Sequence, residues 1–252
     1  MRGMSYYLRF PATAFCFVVF GAGGLVFSIV LAPMLWLSTR REDVYARRVR
    51  LLVHRGFRGF VRLMQGLRVL TCDVDGIDRL TEPGQVIVAT HPTLIDVVFL
   101  VSFVPDAVCV VKQNLLRNPL FGRLLRSAGY VGNADANEWV DRCKNALSKG
   151  ASLILFPEGT RSVPGAEFRL RRGAAYLAMD AKVALTPVRI TCQPSFLTKS
   201  DRWYHVPRQR PHFTICVGTK LPIAIPAYQS RAAAARAITQ GIKRYFLEEA
   251  PV

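Results

Sequence analysis

A chain of 252 residues with 34 Lys and Arg against 17 Asp and Glu, a net charge of +17, is sized for one domain plus a small appendage and points to a polyanionic partner. Its 51% hydrophobic content turns that expectation toward a membrane surface, and no groove-reading or base-stacking motif supports nucleic acid as a partner. Cys16, Cys72, Cys109, Cys143, Cys192 and Cys216 form no CxxC pair and no metal-like spacing, so they read as reduced thiols with no metal site.

The N-terminal region is the most apolar. Residues 10–37 carry no charged side chain, a run of about 42 Å at helical rise that exceeds a hydrocarbon core of about 30 Å. Pro11, Pro33 and the Gly21, Gly23, Gly24 cluster weaken a straight spanning helix and leave a bent or re-entrant segment open. A cleaved signal peptide fits less well, because the run is too long and ends without a small-x-small site. Arg40, Arg41, Arg47, Arg48, Arg50, Arg55, Arg58, Arg62 and Arg68 follow, opposed only by Glu42 and Asp43. A positive flank stays cytoplasmic, which places the rest of the chain on the cytosolic side of an inner, cytoplasmic membrane. Over residues 44–67 those arginines alternate with apolar residues. Two readings stand: an amphipathic helix on anionic lipid, or a core-packed helix with a solvated basic face.

Beyond residue 67 short β-branched runs alternate with helical stretches. Strands are expected at 68–74, 85–90, 107–112, 152–156, 184–191 and 212–217, and helices at 93–103, 119–128, 136–149, 168–180 and 228–248. This alternation predicts an α/β fold: a mainly parallel or mixed central sheet flanked by helices, preceded by an apolar and amphipathic helical membrane element. The segment 203–207, Trp-Tyr-His-Val-Pro, reads as a loop whose aromatics suit a lipid interface.

Two stretches carry chemistry. In the first, His91 follows the apolar run 86–89, and Pro92 suits the first position of a helix with Thr90 or His91 as its cap. Asp96 stands five residues on, roughly 140° around a regular helix from His91, so contact requires His91 to lie outside the helix and turn back. A carboxylate on one ring nitrogen would fix the tautomer and leave the other nitrogen to take a proton. A histidine satisfied by a carbonyl, with Asp96 in a structural ion pair, is the plainer alternative. In the second stretch Glu158, Gly159, Thr160 and Arg161 follow the strand at 152–156, where they could tie a loop beside the dyad and offer Arg161 to a phosphate or carboxylate.

Together these stretches resemble the lysophospholipid acyltransferase family, whose members acylate glycerol 3-phosphate or 1-acylglycerol 3-phosphate. The resemblance covers residues 84–217 in four ordered blocks: the HxxxxD of His91 and Asp96; Lys112-Gln113-Asn114-Leu115 through Pro119 and Gly122 to Gly129; Phe156 to Ser162, which reads FPEGTRS; and Leu185-Thr186-Pro187-Val188. It implies an O-acyltransferase in which His91 is the base, Asp96 orients it, and Glu158, Gly159, Thr160, Arg161 and Lys112 bind substrate. It implies also a membrane anchor over 1–67 and a catalytic domain over 68–252. The acyl donor would be an acyl-CoA or acyl-carrier protein, with no bound cofactor, and the acceptor a lysophospholipid of the membrane bilayer.

The chain departs from the family pattern in places. Thr90 and Thr93 stand where Asn and Ser are usual, and Asn114 replaces an acid. Tyr130-Val131-Gly132-Asn133 lacks the arginine that usually holds the acceptor phosphate. A non-phosphatidate acceptor in specialised lipid synthesis, amino-acid or polyene lipid, is therefore an alternative, and a non-catalytic basic membrane-surface protein a weaker one.

Overall fold

The computed structural model describes residues 4–133, 136–162, 168–223 and 230–247. Helix α1 (Met4–Val26) runs through a π-helical turn at Phe27–Leu31 into α2 (Ala32–Ser38). Pro33 explains that wider turn. Its ring has no N–H to give and crowds the carbonyl four residues back, so the chain opens there instead of continuing as regular α-helix. Residues Tyr6–Ser38 are long and apolar enough to cross a membrane, and only 17% of the most apolar window is buried, so most of this surface faces outward.

One face of the segment nevertheless packs on the domain along its length. Phe20 meets Phe57, Phe60 and Phe121 at ring distances of 5.9, 5.4 and 5.5 Å. Phe17 meets Trp203, and a Cβ at Gly24 would stand 2.7 Å from the Phe121 ring. The other face exposes Leu8, Val18, Ile29, Met34 and Trp36.

Helix α3 (Glu42–Gly66) starts with Glu42 and Asp43 in its first turn, where the helix dipole favours them. Its apolar stripe, Val49, Val53, Val61 and Met64, is buried in the core, while Arg55, Arg58 and Arg62 are exposed. The apolar face is thus committed to the protein, as in the core-packed alternative. Arg50 anchors it further, bonding Asp106 and the Ala128 carbonyl.

Seven strands form one mixed sheet in the order β1-β7-β6-β2-β5-β3-β4. They are β1 (Thr71–Asp75), β2 (Val86–Ala89), β3 (Ala107–Val111), β4 (Val131–Gly132), β5 (Ser152–Leu155), β6 (Leu185–Gln193) and β7 (His212–Val217). Every pairing is parallel except β6 with β7. Val86, Ile87, Val88 and Ala89 are all buried because both faces of the sheet are covered. Ile87 and Ala89 pack with α3 and α4 (Asp96–Phe103) on one side. Val86 and Val88 pack on the other side with α7 (Ala136–Ser148), α8 (Gly173–Ala181) and α9 (Arg231–Leu247). The crossover from β2 to β3 uses the first face and that from β5 to β6 the second. That change of face puts the carboxyl ends of β2 and β5 where a sheet of this kind usually takes its ligand.

Several boundaries differ from expectation. The helix expected at 93 begins at Asp96, with Ile95 at its cap, so Pro92 is not its first residue and neither Thr90 nor His91 caps it. Asp96 itself reaches back to the Thr93 N–H, which holds 93–95 as a turn. The helix expected over 119–128 starts only at Gly122, as α6 (Gly122–Ser127), because Asn118 Oδ1 accepts the N–H groups of Leu120 and Phe121, and a short α5 (Gln113–Leu116) that was not expected precedes it. The helix expected from 168 starts at Gly173, since the Arg171 N–H is drawn to the Pro157 carbonyl at 2.7 Å. Of the helix expected over 228–248, residues 228, 229 and 248 lie outside the described residues.

Candidate active site

Three loops meet at the carboxyl edge of the parallel strands, after β2, β5 and β6. His91 lies two residues past the end of β2, and its Nδ1 lies 2.9 Å from Asp96 Oδ2. Asp96 is fully buried and accepts two further bonds, from the Thr93 N–H at 2.7 Å and the Thr93 hydroxyl at 2.5 Å. Burial pushes the Asp96 carboxyl above its ordinary range, while the bonds from His91 and Thr93 pull it back. With Nδ1 donating to the carboxylate, Nε2 is the ring nitrogen left to accept a proton. The imidazole also stacks on Phe156, ring centres 4.2 Å apart and planes 28° apart, which limits its rotation. Its side chain is 17% exposed, enough for a substrate hydroxyl to reach it.

The loop after β5 locks onto the backbone of His91. Glu158 Oε1 accepts the His91 N–H at 2.9 Å, and Oε2 accepts the Ser162 hydroxyl at 2.7 Å. The Ser162 N–H returns to the His91 carbonyl at 2.7 Å. Gly159 turns this loop with φ +70°, a backbone conformation that favours glycine, and the Arg171 side chain lies against it. Thr160 is half-buried in the same turn.

Arg161 points away from Glu158. Its Nη1 donates to the carbonyls of Leu197 at 3.1 Å and Thr198 at 2.8 Å. The Leu197 carbonyl also takes the Leu94 N–H at 3.0 Å, so one loop braces both halves of the site. Two of the five guanidinium donors' directions are thereby used, and the remainder of the fork stays available to an anion.

Lys112 is exposed at the end of β3, on the same sheet edge but separated from β2 by β5. The structure therefore joins His91, Asp96 and Glu158 in one hydrogen-bonded cluster, ties Arg161 to the His91 loop only through the shared Leu197 carbonyl, and leaves Lys112 apart. The other histidines lie elsewhere: His54 bonds the Val101 carbonyl and His212 bonds Thr71.

Sequence reasoning singled out neither the double donation from Thr93 nor the roles of Phe156 and Ser162. The last two lie inside FPEGTRS, and the T-x-x-D spacing of Thr93 and Asp96 is the signal of an acid that reaches back three residues. The Leu197 and Thr198 carbonyls leave no side-chain signal at all.

A buried carboxylate, a strand-end imidazole and a glycine–arginine loop thus share one sheet edge. The Acyltransferase family model matches residues 71–191, a range that contains all three. The chain is 28% identical over 197 residues to the 1-acyl-sn-glycerol-3-phosphate acyltransferase of Pseudomonas aeruginosa, covering 75% of this chain and 70% of that one. It is 30% identical over 125 residues to the chloroplastic 1-acyl-sn-glycerol-3-phosphate acyltransferase LPAT1 of Arabidopsis thaliana, covering 47% of this chain and 35% of that one. The chain thus spans about a third of that plant relative's length. The crystal structure of the 1-acyl-sn-glycerophosphate acyltransferase PlsC from Thermotoga maritima superposes with a TM-score of 0.66 over 98% of this chain and 97% of that one, at 18% identity, and so shares the fold. Residues 71–191 are thus an acyltransferase-family domain, and the chain is an acyltransferase.

Proposed function

We propose that the chain is an O-acyltransferase that moves a fatty acyl group from an acyl-CoA or acyl-carrier-protein thioester to a hydroxyl of a lysophospholipid. The acceptor is of the 1-acylglycerol 3-phosphate type, which the names of the relatives support. One observation carries the reading: the 2.9 Å bond between His91 Nδ1 and a fully buried Asp96. With Nδ1 turned to the carboxylate, Nε2 is the nitrogen open to a proton.

In the reaction Nε2 takes the acceptor's hydroxyl proton as the oxygen attacks the thioester carbonyl. The C–S bond then breaks, and the departing sulfur receives that proton from the imidazolium. Asp96 stabilises the imidazolium throughout. Glu158 holds the base in place through the backbone, and Arg161 gives its remaining donors to the acceptor's anionic group. Lys112 and the basic surface attract an anionic acceptor or an acidic carrier. Residues 1–67 anchor the enzyme, and residues 68–252 carry the reaction.

The packing of α1 along the domain, from Phe17 on Trp203 to Ser28 on the Leu120 carbonyl, favours a segment lying against the protein at a cytoplasmic membrane face over one that stands away and crosses. Membrane association then delivers the acceptor directly to the cytosolic sheet edge.

A second acceptor class is favoured by one observation. Residues 130–133 lack the arginine that usually holds the acceptor phosphate in this family, and the Gln113 side chain fills the space beside Gly132. An acceptor whose anion sits elsewhere, as in specialised lipids, suits that wall. Mass spectrometry of products from defined thioesters and a lysolipid panel decides between them. Phosphate-dependent use of lysophosphatidate supports the first acceptor, and transfer only to phosphate-free acceptors supports the second.

A further inference from the structure

Three guanidinium groups from three distant segments converge on one cavity of about 590 Å³. Among the described residues it is lined by Leu8 and Arg9 of α1, Leu67 and Arg68 at the end of α3, and Arg210. Arg210 precedes Pro211, whose carbonyl accepts the Thr71 N–H where β1 begins, beside the start of β7. Because β7 is antiparallel to β6 and β6 is parallel to β2, the starts of β1 and β7 lie at the edge where β2 delivers His91. Three strand spacings, about 14 Å, separate β1 from β2 along that edge.

The Arg68 backbone marks this position as unusual. The Val69 N–H bonds the Met64 carbonyl and the Arg68 N–H bonds the Gln65 carbonyl, the paired bonds of a Schellman helix end. In that motif the residue at Arg68 adopts a left-handed conformation, here φ +56°, for which glycine is favoured. An arginine there sacrifices backbone comfort, and a strained side chain of this kind suggests a function. Arg9 is equally out of character, a buried guanidinium in an apolar helix, where it donates to the Arg208 carbonyl.

Clustered guanidiniums repel one another, and a multiply charged oxyanion offsets that repulsion while matching their fork geometry. Leu8 and Leu67 add apolar wall, and the exposed Tyr7 and Phe10 extend that surface along α1. Charge beside apolar surface suits a phosphate that carries acyl chains. We propose that this cavity binds the headgroup phosphate of an acidic membrane phospholipid, at a site separate from the His91 centre. The site stands independently of the acyl-transfer reading. Occupied, it would tie α1, the end of α3 and the 208–210 segment to the bilayer beside the catalytic edge.

The test is titration of the detergent-solubilised full chain with dihexanoylphosphatidylglycerol, read by calorimetry and by the shift in melting temperature. The unaltered protein is expected to bind. Arg68→Gly and Arg210→Gln are each expected to weaken binding roughly tenfold or more. Since Arg68→Gly relieves the helix end, its lipid-free melting temperature should be unchanged or higher, which separates lost binding from lost folding. Arg55→Gln with Arg58→Gln removes two exposed charges outside the cavity and should bind as the unaltered chain does. His91→Ala should do the same. Equal binding by all variants overturns the site, and loss of binding in His91→Ala places the lipid in the catalytic centre instead. Displacement of the lipid by inorganic phosphate or by coenzyme A at matching concentration overturns the lipid assignment in favour of a soluble phosphate.

Discussion

The backbone N–H of His91 donates to Glu158 Oε1 at 2.9 Å, so this histidine is positioned through its main chain by a loop that arrives 67 residues later. The imidazole owes its place to three contacts made by different elements: Asp96 on α4, Phe156 after β5, and Glu158 in the glycine turn. Each contact is open to substitution.

Glu158→Ala leaves the His91 N–H and the Ser162 hydroxyl without their acceptor. The expected cost is about 1–3 kcal/mol of stability for a buried group so abandoned. Turnover should fall by up to about 10²-fold as the imidazole drifts from its attack position. Glu158→Gln keeps Oε1 as acceptor and should retain most of both. Thermal denaturation and single-turnover kinetics on the two variants check the difference.

Thr93→Val deletes the 2.5 Å hydroxyl bond to Asp96 Oδ1 while keeping the side chain's shape. A hydrogen bond to a charged group contributes about 1.5–3 kcal/mol, so transfer should drop measurably and Thr93→Ser should restore it. Losing a donor to the ionised form raises the carboxyl further. The acid limb of the rate–pH profile is therefore expected to move to higher pH in Thr93→Val and not in Thr93→Ser.

Asp96→Asn should part stability from activity. Burial holds the Asp96 carboxyl above its ordinary value, so its contribution to folding is fully present below the unfolded-chain value of about 3.9 and is lost as pH rises through the folded one. Asparagine carries no such penalty. Relative to the unaltered protein, its melting temperature should rise as pH climbs through that window and keep the gain at neutral pH. Acyl transfer should still fall by about 10²- to 10⁴-fold, because the amide no longer enforces the tautomer that leaves Nε2 open.

The cysteines give a separate check on the mechanism. Burial pushes the Cys109, Cys143 and Cys192 thiols up to about 12, and for Cys192 the neighbouring Asp96 charge adds to the effect. At neutral pH these groups stay protonated and poorly nucleophilic, in keeping with direct transfer. Iodoacetamide labelling with peptide mass spectrometry should find all three unmodified in the folded protein and modified after denaturation.

Much of this was legible in the amino-acid order. The apolar runs at β2 and β5 place themselves, because a strand buried on both faces leaves a continuous apolar signature. His91 and the FPEGTRS stretch stand out because chemistry at a strand end needs those residue types. Features fixed by distant partners were not legible. The start of α4 depends on Asp96 reaching back to Thr93, and the direction of Arg161 on carbonyls 36 and 37 residues later. Nothing local told whether the apolar stripe of α3 would face lipid or protein; that was decided by α1 and α4 offering it a surface. The two-residue β4 is too short to carry any period.

The most direct measurement is product formation by purified His91→Ala in defined vesicles, with an acyl thioester and lysophosphatidate, followed by mass spectrometry. The account predicts a folded, membrane-bound protein whose transfer rate is about 10²- to 10⁴-fold lower than that of the unaltered chain. Transfer at the unaltered rate would contradict it.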